Sequence, residues 1–501
     1  MKRYILAVDQ STQGTKGLLF DEGGELIARA DRPHRQIVSP EGWVSHDLKE
    51  ILDNTRAVCR DVIEKAGIDA GAVAAFGISN QRETTAAWDR ETGEPVCPAI
   101  VWQCARAEKI AARHRGQAEE IRRKTGLTLS PYFPAAKMQW ILENVPQARK
   151  LADSGRLALG TIDSWLVWSL TEEHAFRTDY SNAARTQLFD IRNLCWDADL
   201  CSLFTVPLQC LPEASMSDSV FGMTDLGGVL PRAVPICGVL GDSNGALFGH
   251  DCRTPGDIKA TYGTGSSVMM NIGDEVKISD RGLVTSIAWG IGGKVQYVFE
   301  GNLNYTGAVI SWLKNDVRLI DHAAESGALA AAANPADRTY FVPAFSGLGA
   351  PYWDAEATGL FTGITRVTGR NEIVKACVES IGYQITDLVR LMREESGRSV
   401  SRLHVDGGPT GNAYLMQFQS DLAEAEVVVP KLQELSGMGA AYLAGISAGL
   451  YSEKTIFSTA GQTVYAPKMA KERSRRLYAG WQDAVARTLM HHSEEIEEET
   501  I

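Results

Sequence analysis

An acid near the middle of the chain follows an apolar run and precedes a glycine-rich turn. Residues 234–240 predict a buried strand, and Asp242 comes two positions after it. A second predicted strand ends in the turn Gly263-Thr264-Gly265. Glycines let backbone N–H groups approach an anion closely, and a threonine hydroxyl adds a donor. This combination indicates phosphoryl transfer, whereas Asp242 taken alone also fits an ordinary helix N-cap.

The N-terminal segment places similar groups in a hairpin. Residues 4–8 predict a buried strand that ends at Asp9, and its hairpin partner follows a polar turn. Thr12 lies in this turn and Lys16 adds a cation, so the turn suits a phosphate group. The Asp9 carboxylate could hold Mg²⁺, usually through water, because this ion keeps part of its hydration shell. A hairpin with an ordinary polar turn explains the same residues.

Two further strand ends carry groups that suit a hydroxyl-rich ligand. Arg82 and Glu83 follow the predicted strand at residues 73–78, and Trp102 lies at the end of the next one. Arginine donates hydrogen bonds, glutamate accepts them, and an indole face packs against the C–H side of a polyol. A surface ion pair and a core tryptophan are the alternative interpretation.

The composition limits the class of protein. The 501 residues suffice for two or three domains, and 44% hydrophobic with 22% charged residues are typical of a soluble globular protein with a large core. A net charge of −12 argues against nucleic acid or an anionic membrane surface as a partner, and the acidic run at residues 494–499 predicts a solvated tail. No run of about 18 apolar residues predicts a membrane span.

Targeting signals and cysteine usage indicate the cytoplasm. The apolar N-terminal run is broken at Asp9, which makes it too short for a signal peptide. The chain has nine cysteines and no Cys-x-x-Cys pair, which fits a reducing compartment and argues against a zinc site.

Strands and helices alternate along the chain, which predicts an α/β protein. Helical spacing of the apolar residues predicts a helix over residues 46–66 with Ser45 as its N-cap. An apolar run predicts a strand over residues 294–299, which ends at Glu300. Each half of the chain opens with strands and a Gly/Thr turn near an acid. Two related halves that face one another would place both turns at one cleft, where they could bind a triphosphate.

Neither common phosphate-binding motif is present. The sequence has no G-x-x-x-x-G-K-[ST] loop and no G-x-G-x-x-G after a strand. P-loop kinases, protein kinases and Rossmann dehydrogenases are therefore disfavoured.

Several segments, in order along the chain, resemble the FGGY carbohydrate kinases of the actin-like ATPase superfamily, and among these the glycerol kinases most closely. The segments are residues 79–85 (Ser-Asn-Gln-Arg-Glu-Thr-Thr), 99–104 (Ala-Ile-Val-Trp-Gln-Cys), 133–144, 261–265 (Thr-Tyr-Gly-Thr-Gly) and 347–354 (Gly-Leu-Gly-Ala-Pro-Tyr-Trp-Asp). The resemblance covers almost the whole chain. It implies two actin-like (ribonuclease H-like) domains around a nucleotide cleft, with residues 1–247 binding substrate and residues 248–501 binding nucleotide.

The resemblance also implies ATP-dependent phosphorylation of a primary hydroxyl of a small polyol or sugar. Asp242 would be the base that takes the hydroxyl proton, and Asp9 and Asp242 would flank Mg²⁺. The implied substrate contacts are Arg82, Glu83, Trp102, Tyr132, Asp242, Ser243 and Ser267. The implied nucleotide contacts are Thr12, Lys16, Gly263, Thr264, Gly307, Ser311, Gly408 and Asn412. Members of the family often form homodimers or homotetramers.

Two substrate positions differ from the glycerol kinases that the chain resembles. Ser243 stands where those enzymes typically have Gln, and Ser267 where they have a Phe packed against the glycerol carbons. Both serines are smaller, so the pocket should be roomier and more polar. A Phe truncated this far removes packing worth up to about 3 kcal/mol. At the nucleotide, Ser311 replaces a longer amide and Lys16 an arginine.

Three functions therefore stay open. Glycerol phosphorylation competes with phosphorylation of a four- or five-carbon polyol or ketopentose, such as erythritol, xylitol, xylulose or ribulose. A non-catalytic actin-like sensor of sugar or nucleotide is the third. The presence of both acids, Asp9 and Asp242, together with the glycine turns argues against the sensor.

Overall fold

The computed structural model describes residues 2–459 and 461–489. Two large β-sheets form the centre of this part of the chain. The strands are β1 Tyr4–Gln10, β2 Gly14–Phe20, β3 Leu26–Pro33, β4 Ile37–Val38, β5 Val44–His46, β6 Val73–Asn80, β7 Ala86–Asp89, β8 Ala99–Ile100, β9 Leu157–Gly160, β10 Arg177–Asp179, β11 Phe189–Asp190, β12 Cys195–Trp196, β13 Glu213–Ser215, β14 Gly222–Thr224, β15 Val234–Gly241, β16 Ile258–Tyr262, β17 Ser266–Gly273, β18 Val284–Ile291, β19 Lys294–Leu303, β20 Tyr340–Val342, β21 Leu360–Thr362, β22 Arg402–Asp406, β23 Glu426–Pro430 and β24 Gln462–Tyr465. The helices are α1 Leu48–Ala66, α2 Glu108–Arg113, α3 Ala118–Thr125, α4 Pro134–Asn144, α5 Pro146–Asp153, α6 Ile162–Leu170, α7 Tyr180–Ala183, α8 Ala198–Leu203, α9 Asp242–Gly249, α10 Gly307–Asn315, α11 Glu325–Ala332, α12 Arg370–Ser396, α13 Ala413–Ala423, α14 Leu435–Ser447 and α15 Lys471–Thr488.

This mixture of elements confirms the α/β prediction. Over the described residues, none of the helices combines the length and the apolar character that crossing a bilayer requires. The acidic run at residues 494–499 lies outside the described part of the chain.

The first sheet has six strands in the order β14-β15-β6-β1-β2-β3. Its strands β1, β6 and β15 are parallel, so their carboxyl ends meet at one edge, which is the usual ligand-binding edge of such sheets. The register places Asp9 beside Ser79, and Leu240 beside the same serine from the other side. Asp9 and Asp242, which follows β15, therefore share this edge.

The second sheet has seven strands in the order β18-β19-β17-β16-β22-β23-β24. It repeats the plan of the first sheet, because an antiparallel pair, β16 with β17, is followed by the parallel strands β22 and β23. Thr261 lies opposite Asp406 at the carboxyl edge, just before the turns that begin at Gly263 and Gly407. Each sheet thus ends in an acid next to a turn of small or hydroxylated residues.

The central strands of the first sheet are covered on both faces. Leu6 belongs to the core on the α1 side, whereas Ile5 belongs to the core on the α14 side. Because side chains alternate along a strand, a strand buried on both faces is apolar at nearly every position. Gly77 lets α14 approach closely, since a Cβ there would lie 2.7 Å from the Ala440 carbonyl oxygen. The glycines and alanines of α14 are thus used for close backbone packing.

Both halves of the sequence contribute to the first sheet's surroundings. The predicted domain boundary at residues 247/248 falls inside α9. Helix α14, from the second half, packs against β1, β6 and β15. The division into residues 1–247 and 248–501 stays a prediction.

Two local predictions are wrong. Helix α1 begins after Asp47, whose carboxylate accepts hydrogen bonds from backbone N–H groups of the first turn, and Ser45 lies in β5 instead of capping the helix. Strand β19 does not end at Glu300 but continues for three more residues, to Leu303. A charged residue fits inside this buried strand because two arginines bind it.

Candidate active site

Asp9 is a buried carboxylate at the carboxyl end of β1. Ser79 Oγ donates a hydrogen bond to Asp9 Oδ1 at 2.9 Å, and Lys16 Nζ lies 3.9 Å from Asp9 Oδ2. Burial raises the pKa of Asp9 to about 6, against the effect of Lys16, and the charge of Asp242 contributes to the increase. The two acids are therefore close enough to interact, as expected for two carboxylates that flank one cation.

Asp242 is the first residue of α9, and 37% of its side chain is exposed. Its Oδ1 accepts a hydrogen bond from the Ser243 N–H at 2.7 Å and lies 3.3 Å from Arg82 Nε. This carboxylate is oriented by an arginine and can be reached from solvent. It can therefore accept a proton from a bound hydroxyl group.

A chain of buried charges extends from Asp242 into the protein. Glu300 Oε1 accepts a hydrogen bond from Arg82 Nη2 at 2.7 Å, and Glu300 Oε2 accepts one from Arg185 Nη1 at 2.8 Å. Arg185 Nε donates to Glu83 Oε1 at 2.5 Å. Burial opposes ionisation of Glu300, but the two guanidinium groups outweigh it and hold its pKa well below the usual range. Arg82 and Glu83 are thus fixed by a buried network and are not a surface ion pair.

Arg185 and Glu300 carry no sequence motif that predicts a role in the site. Glu300 and Arg82 are 218 positions apart, so no local pattern could reveal their contact. One signal was available: Glu300 interrupts an apolar strand, and a buried charge requires a partner. Arg185 lies in a polar stretch and gives no such signal.

Trp102 and Tyr132 form an aromatic pair with ring centroids 5.4 Å apart, and Tyr132 is close enough to Glu83 to interact with its charge. Trp102 Nε1 donates a hydrogen bond to Thr12 Oγ1 at 2.9 Å. Lys137 Nζ donates to the carbonyl oxygen of Trp102 at 3.1 Å and to that of Tyr132. Burial lowers the pKa of Lys137 to about 7. Two implied substrate contacts therefore adjoin Thr12, an implied phosphate contact.

Ser243 and Ser267 are both partly exposed and lie next to the charged groups. Ser267 Oγ donates a hydrogen bond to Glu300 Oε1 at 3.3 Å. The Ser243 N–H binds Asp242, but the Ser243 hydroxyl makes no hydrogen bond within residues 2–459 and 461–489. The two departures from the glycerol kinases thus adjoin the base and the acid that holds Arg82.

The nucleotide contacts implied for the second sheet come together through backbone. The Gly307 N–H donates to the Gly263 carbonyl oxygen at 2.9 Å, and a Cβ at Gly307 would lie 2.4 Å from that oxygen. Gly407 has a φ of +97°, and a Cβ there would lie 2.0 Å from the Tyr262 carbonyl oxygen. Both approaches require glycine. They assemble the turn at Gly263, the start of α10 and the 3-10 turn Gly408–Gly411 into one surface.

The remaining implied nucleotide contacts differ in how their side chains are engaged. Thr264 and Ser311 are exposed. Asn412 is the N-cap of α13, because its Oδ1 accepts a backbone hydrogen bond at 3.1 Å. Lys16 Nζ donates to Glu434 Oε2 at 2.8 Å, a contact that no sequence pattern predicts. The roles of these side chains toward a nucleotide stay predictions.

The donor set at the first sheet's edge suits a hard divalent cation. Asp9 and Asp242 present carboxylate oxygens from the same edge, and Mg²⁺ in kinases takes one or two carboxylates together with substrate phosphates. Across the described ranges, no group of three or more His, Cys, Asp and Glu side chains forms a self-sufficient metal site. The residues present fit Mg²⁺ as an ion shared with a nucleotide.

Comparison with known sequences shows the family. Residues 4–249 match the N-terminal domain, and residues 258–448 the C-terminal domain, of the FGGY family of carbohydrate kinases. A glycerol kinase of Symbiobacterium thermophilum is 47% identical over 490 residues, which are 97% of this chain and 98% of that protein. A glycerol kinase of Treponema denticola is 44% identical over 493 residues, which are 98% of this chain and 99% of that protein.

Solved structures have the same fold. The crystal structure of Plasmodium falciparum glycerol kinase with ADP matches with a TM-score of 0.92 and 33% identity, over 98% of this chain and 99% of that one. A ligand-bound xylulose kinase from Lactobacillus acidophilus matches with a TM-score of 0.84 and 24% identity, over 97% of this chain and 98% of that one. The second likeness shows the fold alone.

The fold and the site define an ATP-dependent sugar kinase built from two actin-like domains. The chain belongs to the FGGY family of carbohydrate kinases. It transfers a phosphoryl group to a hydroxyl of a small polyol or sugar. The predicted family, fold and class of reaction are confirmed.

Proposed function

We propose that this chain is a polyol kinase of the glycerol kinase type, with Asp242 as its general base. The observation that carries the proposal is the position of Asp242, which lies at the carboxyl edge of the first sheet, is oriented by Arg82 and is partly exposed. Glycerol kinases that are 43% to 47% identical over nearly the whole length support the same reaction.

Asp242 accepts the proton of the attacking hydroxyl late in the reaction. An alcohol is hardly acidic, so early deprotonation is unfavourable, and phosphoryl transfer depends mainly on positioning and charge neutralisation. Both contacts of Asp242, with Arg82 and with the Ser243 N–H, involve Oδ1. This leaves Oδ2 to receive the proton.

Side chains that follow β6 and β8, together with one from the loop before α4, hold the polyol in this mechanism. Glu83 Oε1 is bound by Arg185, which leaves Oε2 to accept a hydrogen bond from a substrate hydroxyl. Trp102 and Tyr132 offer aromatic surface to the carbon chain. Arg82 fixes the end of the polyol that faces Asp242.

Backbone groups of the second sheet hold the nucleotide. The phosphates would lie between the N-terminal hairpin, with Thr12 and Lys16, and the turn at Gly263 and Thr264. Asp9 and Asp242 would hold Mg²⁺, which neutralises phosphate charge when bound. Gly307 and Ser311 would also contact the nucleotide, and Gly408 and Asn412 its α-phosphate and adenosine side.

A second candidate is a substrate longer than glycerol, which the two serines favour. Ser267 is small and already bound to Glu300, and the Ser243 hydroxyl has no partner among the described residues. Together they would leave space and a free hydroxyl beyond the third carbon of a bound polyol. A site that hydrogen-bonds extra hydroxyls discriminates strongly against an analogue that lacks them. We therefore expect a four- or five-carbon polyol or ketopentose to be the better substrate.

A coupled ADP-release assay with three- to seven-carbon polyols and sugars tests the function. At least one of them should turn over, and Asp242→Asn should lower kcat by about 10²–10⁴-fold with little change in nucleotide affinity. Asp251→Asn is the matched control, because Asp251 is an exposed acid just past the other end of α9. Folded protein that binds Mg-ATP but turns over no member of the panel would refute the proposal.

A further inference from the structure

A buried polar chain that the mechanism does not use lies at the far end of α9. His250 directly follows this helix, and its Nε2 lies 2.9 Å from Asp406 Oδ2. Thr261 Oγ1 donates to the same oxygen at 3.1 Å, and Lys259 Nζ donates to Thr261 Oγ1 at 2.9 Å. His250, Asp406 and Lys259 are 7%, 8% and 0% exposed. Because buried polar groups without partners are costly, these contacts hold each member in place.

Asp406 connects these buried polar residues to the nucleotide surface. It is the last residue of β22, and Gly407 and the turn Gly408–Gly411 follow directly. Gly407 packs on the Tyr262 carbonyl, so the backbone next to Asp406 is held against the strand that leads into the Gly263 turn. A shift of this turn when nucleotide binds therefore reaches Asp406 through one peptide unit.

Helix α9 connects His250 to the base. The helix has eight residues, with Asp242 at its start, and is about 12 Å long. A Cβ at Gly245 would lie 2.6 Å from the Ser436 carbonyl oxygen, so α9 packs backbone to backbone against α14. Polar contacts at the two ends, of Asp242 with Arg82 and of His250 with Asp406, add to this packing in setting the orientation of the helix.

We propose that His250 and Asp406 are positioning residues that couple nucleotide binding at residues 407–412 to the orientation of α9, and so of Asp242. The inference rests on the proposed function, because it takes this turn as part of the nucleotide site and Asp242 as the base. Such coupling requires a contact that differs in strength between the two states. The contact of His250 with Asp406 would be stronger when nucleotide orders the turn than when the turn is empty. Nucleotide alone should then stabilise α9 before any polyol binds.

Hydrogen–deuterium exchange at residues 242–249 of the full chain tests this coupling, with and without Mg²⁺ and a non-hydrolysable ATP analogue. Wild type should exchange about fivefold more slowly with the analogue, at the low end of common coupling factors. His250→Leu should lose this difference, and His250→Gln, which keeps a donor, should restore most of it. Asp406→Asn should reduce it as well. His404→Phe is the matched control, because it keeps an aromatic ring beside His250.

A purely structural role gives a different result. His250→Leu would then speed exchange of α9 equally with and without the analogue, which would overturn the proposal. Absence of nucleotide-dependent protection in wild type would overturn it too. Failure of the proposed function is distinguishable, because α9 would still be protected by the analogue while wild type turned over no polyol.

Discussion

The substrate wall and the nucleotide wall of this kinase are built from different parts of the chain. The substrate wall consists of the side chains of Arg82, Glu83, Trp102, Tyr132, Ser243 and Ser267. The nucleotide wall consists of the backbone at the Gly263 turn, the start of α10 and the turn Gly408–Gly411. Buried ion pairs lock the first, through Glu300 and Arg185. Close approaches that only glycine allows assemble the second.

This difference in construction determines which ligand specificity can change by substitution. A wall of side chains can accept a new ligand by substitution, and Ser243 and Ser267 are two such changes. A wall of backbone offers few positions to vary, because Gly265, Gly307 and Gly407 each face a carbonyl oxygen that leaves no room for a side chain. We therefore expect the polyol specificity of this chain to differ from that of its relatives, and its nucleotide site to resemble theirs.

Among changes that disrupt the two walls, the largest effect should come from Glu300→Gln, which removes the charge that holds the substrate wall. It leaves Arg82 and Arg185 buried without their shared carboxylate, at a cost of about 3–5 kcal/mol in stability. Misplacement of Arg82 should lower kcat/KM for the polyol about 100-fold. Urea unfolding and steady-state kinetics measure the two effects.

The matched control is Glu379→Gln. Glu379 is also a buried acid, paired with Lys375 at 3.0 Å, and its hydrogen-bond partners Lys375 and Tyr414 lie outside the substrate wall. It should destabilise the fold without changing KM for the polyol. Equal loss of kcat/KM in both variants would show that stability, and not the position of Arg82, explains the effect.

Gly307→Ala should break the nucleotide wall, with a smaller effect. The added Cβ would lie 2.4 Å from the Gly263 carbonyl oxygen, so the start of α10 must shift. A cost near 1.4 kcal/mol would weaken ADP about tenfold. Calorimetry measures this affinity, and Lys314→Ala, an exposed position at the other end of α10, should change it less than about twofold. Unchanged ADP affinity in Gly307→Ala would remove the backbone wall from the account.

The sequence predicts the residues of both walls better than it predicts the buried ion pairs behind the substrate wall. Asp9, Asp242 and the Gly263 turn are predictable because an acid or glycine turn at a strand end is a pattern within a few residues. Glu300 and Arg185 are not, because their partners come from distant elements and only tertiary packing brings them together. The error at the start of α1 has a local cause, since both Ser45 and Asp47 are acceptable caps.

The double change Ser243→Gln with Ser267→Phe should increase the preference of the substrate wall for glycerol over longer substrates. Refilling the pocket should raise kcat/KM for glycerol about tenfold and lower it about tenfold for erythritol or xylulose. The ratio of the two kcat/KM values is the measured quantity. Ser311→Gln, which restores the longer amide at the nucleotide, should leave this ratio unchanged. A wild type that prefers glycerol over every longer candidate would contradict the expectation.

Lys137→Met should have the smallest effect on turnover. Lys137 supports the substrate wall only through the carbonyls of Trp102 and Tyr132, so kcat/KM should fall about threefold. The effect of Lys137→Met on the pH dependence of stability is a more specific test. Burial lowers the pKa of Lys137 to about 7, below the unfolded value of about 10.4.

Protonation of Lys137 therefore favours the unfolded state. Its contribution to stability is present above about pH 10 and is lost as the pH falls to about 7. The unfolding free energy of wild type relative to Lys137→Met should decrease over this range when the pH is lowered. Lys65→Met is the control, because Lys65 also donates to a carbonyl oxygen but is exposed. A flat difference for Lys137→Met would place its pKa near the ordinary value.

The separate construction of the two walls is tested most directly by calorimetry of glycerol alone and ADP alone, each with Glu300→Gln and Gly307→Ala. We predict that Glu300→Gln weakens glycerol at least about tenfold while ADP stays within about twofold, and that Gly307→Ala does the reverse. Loss of both ligands in either variant would contradict the account.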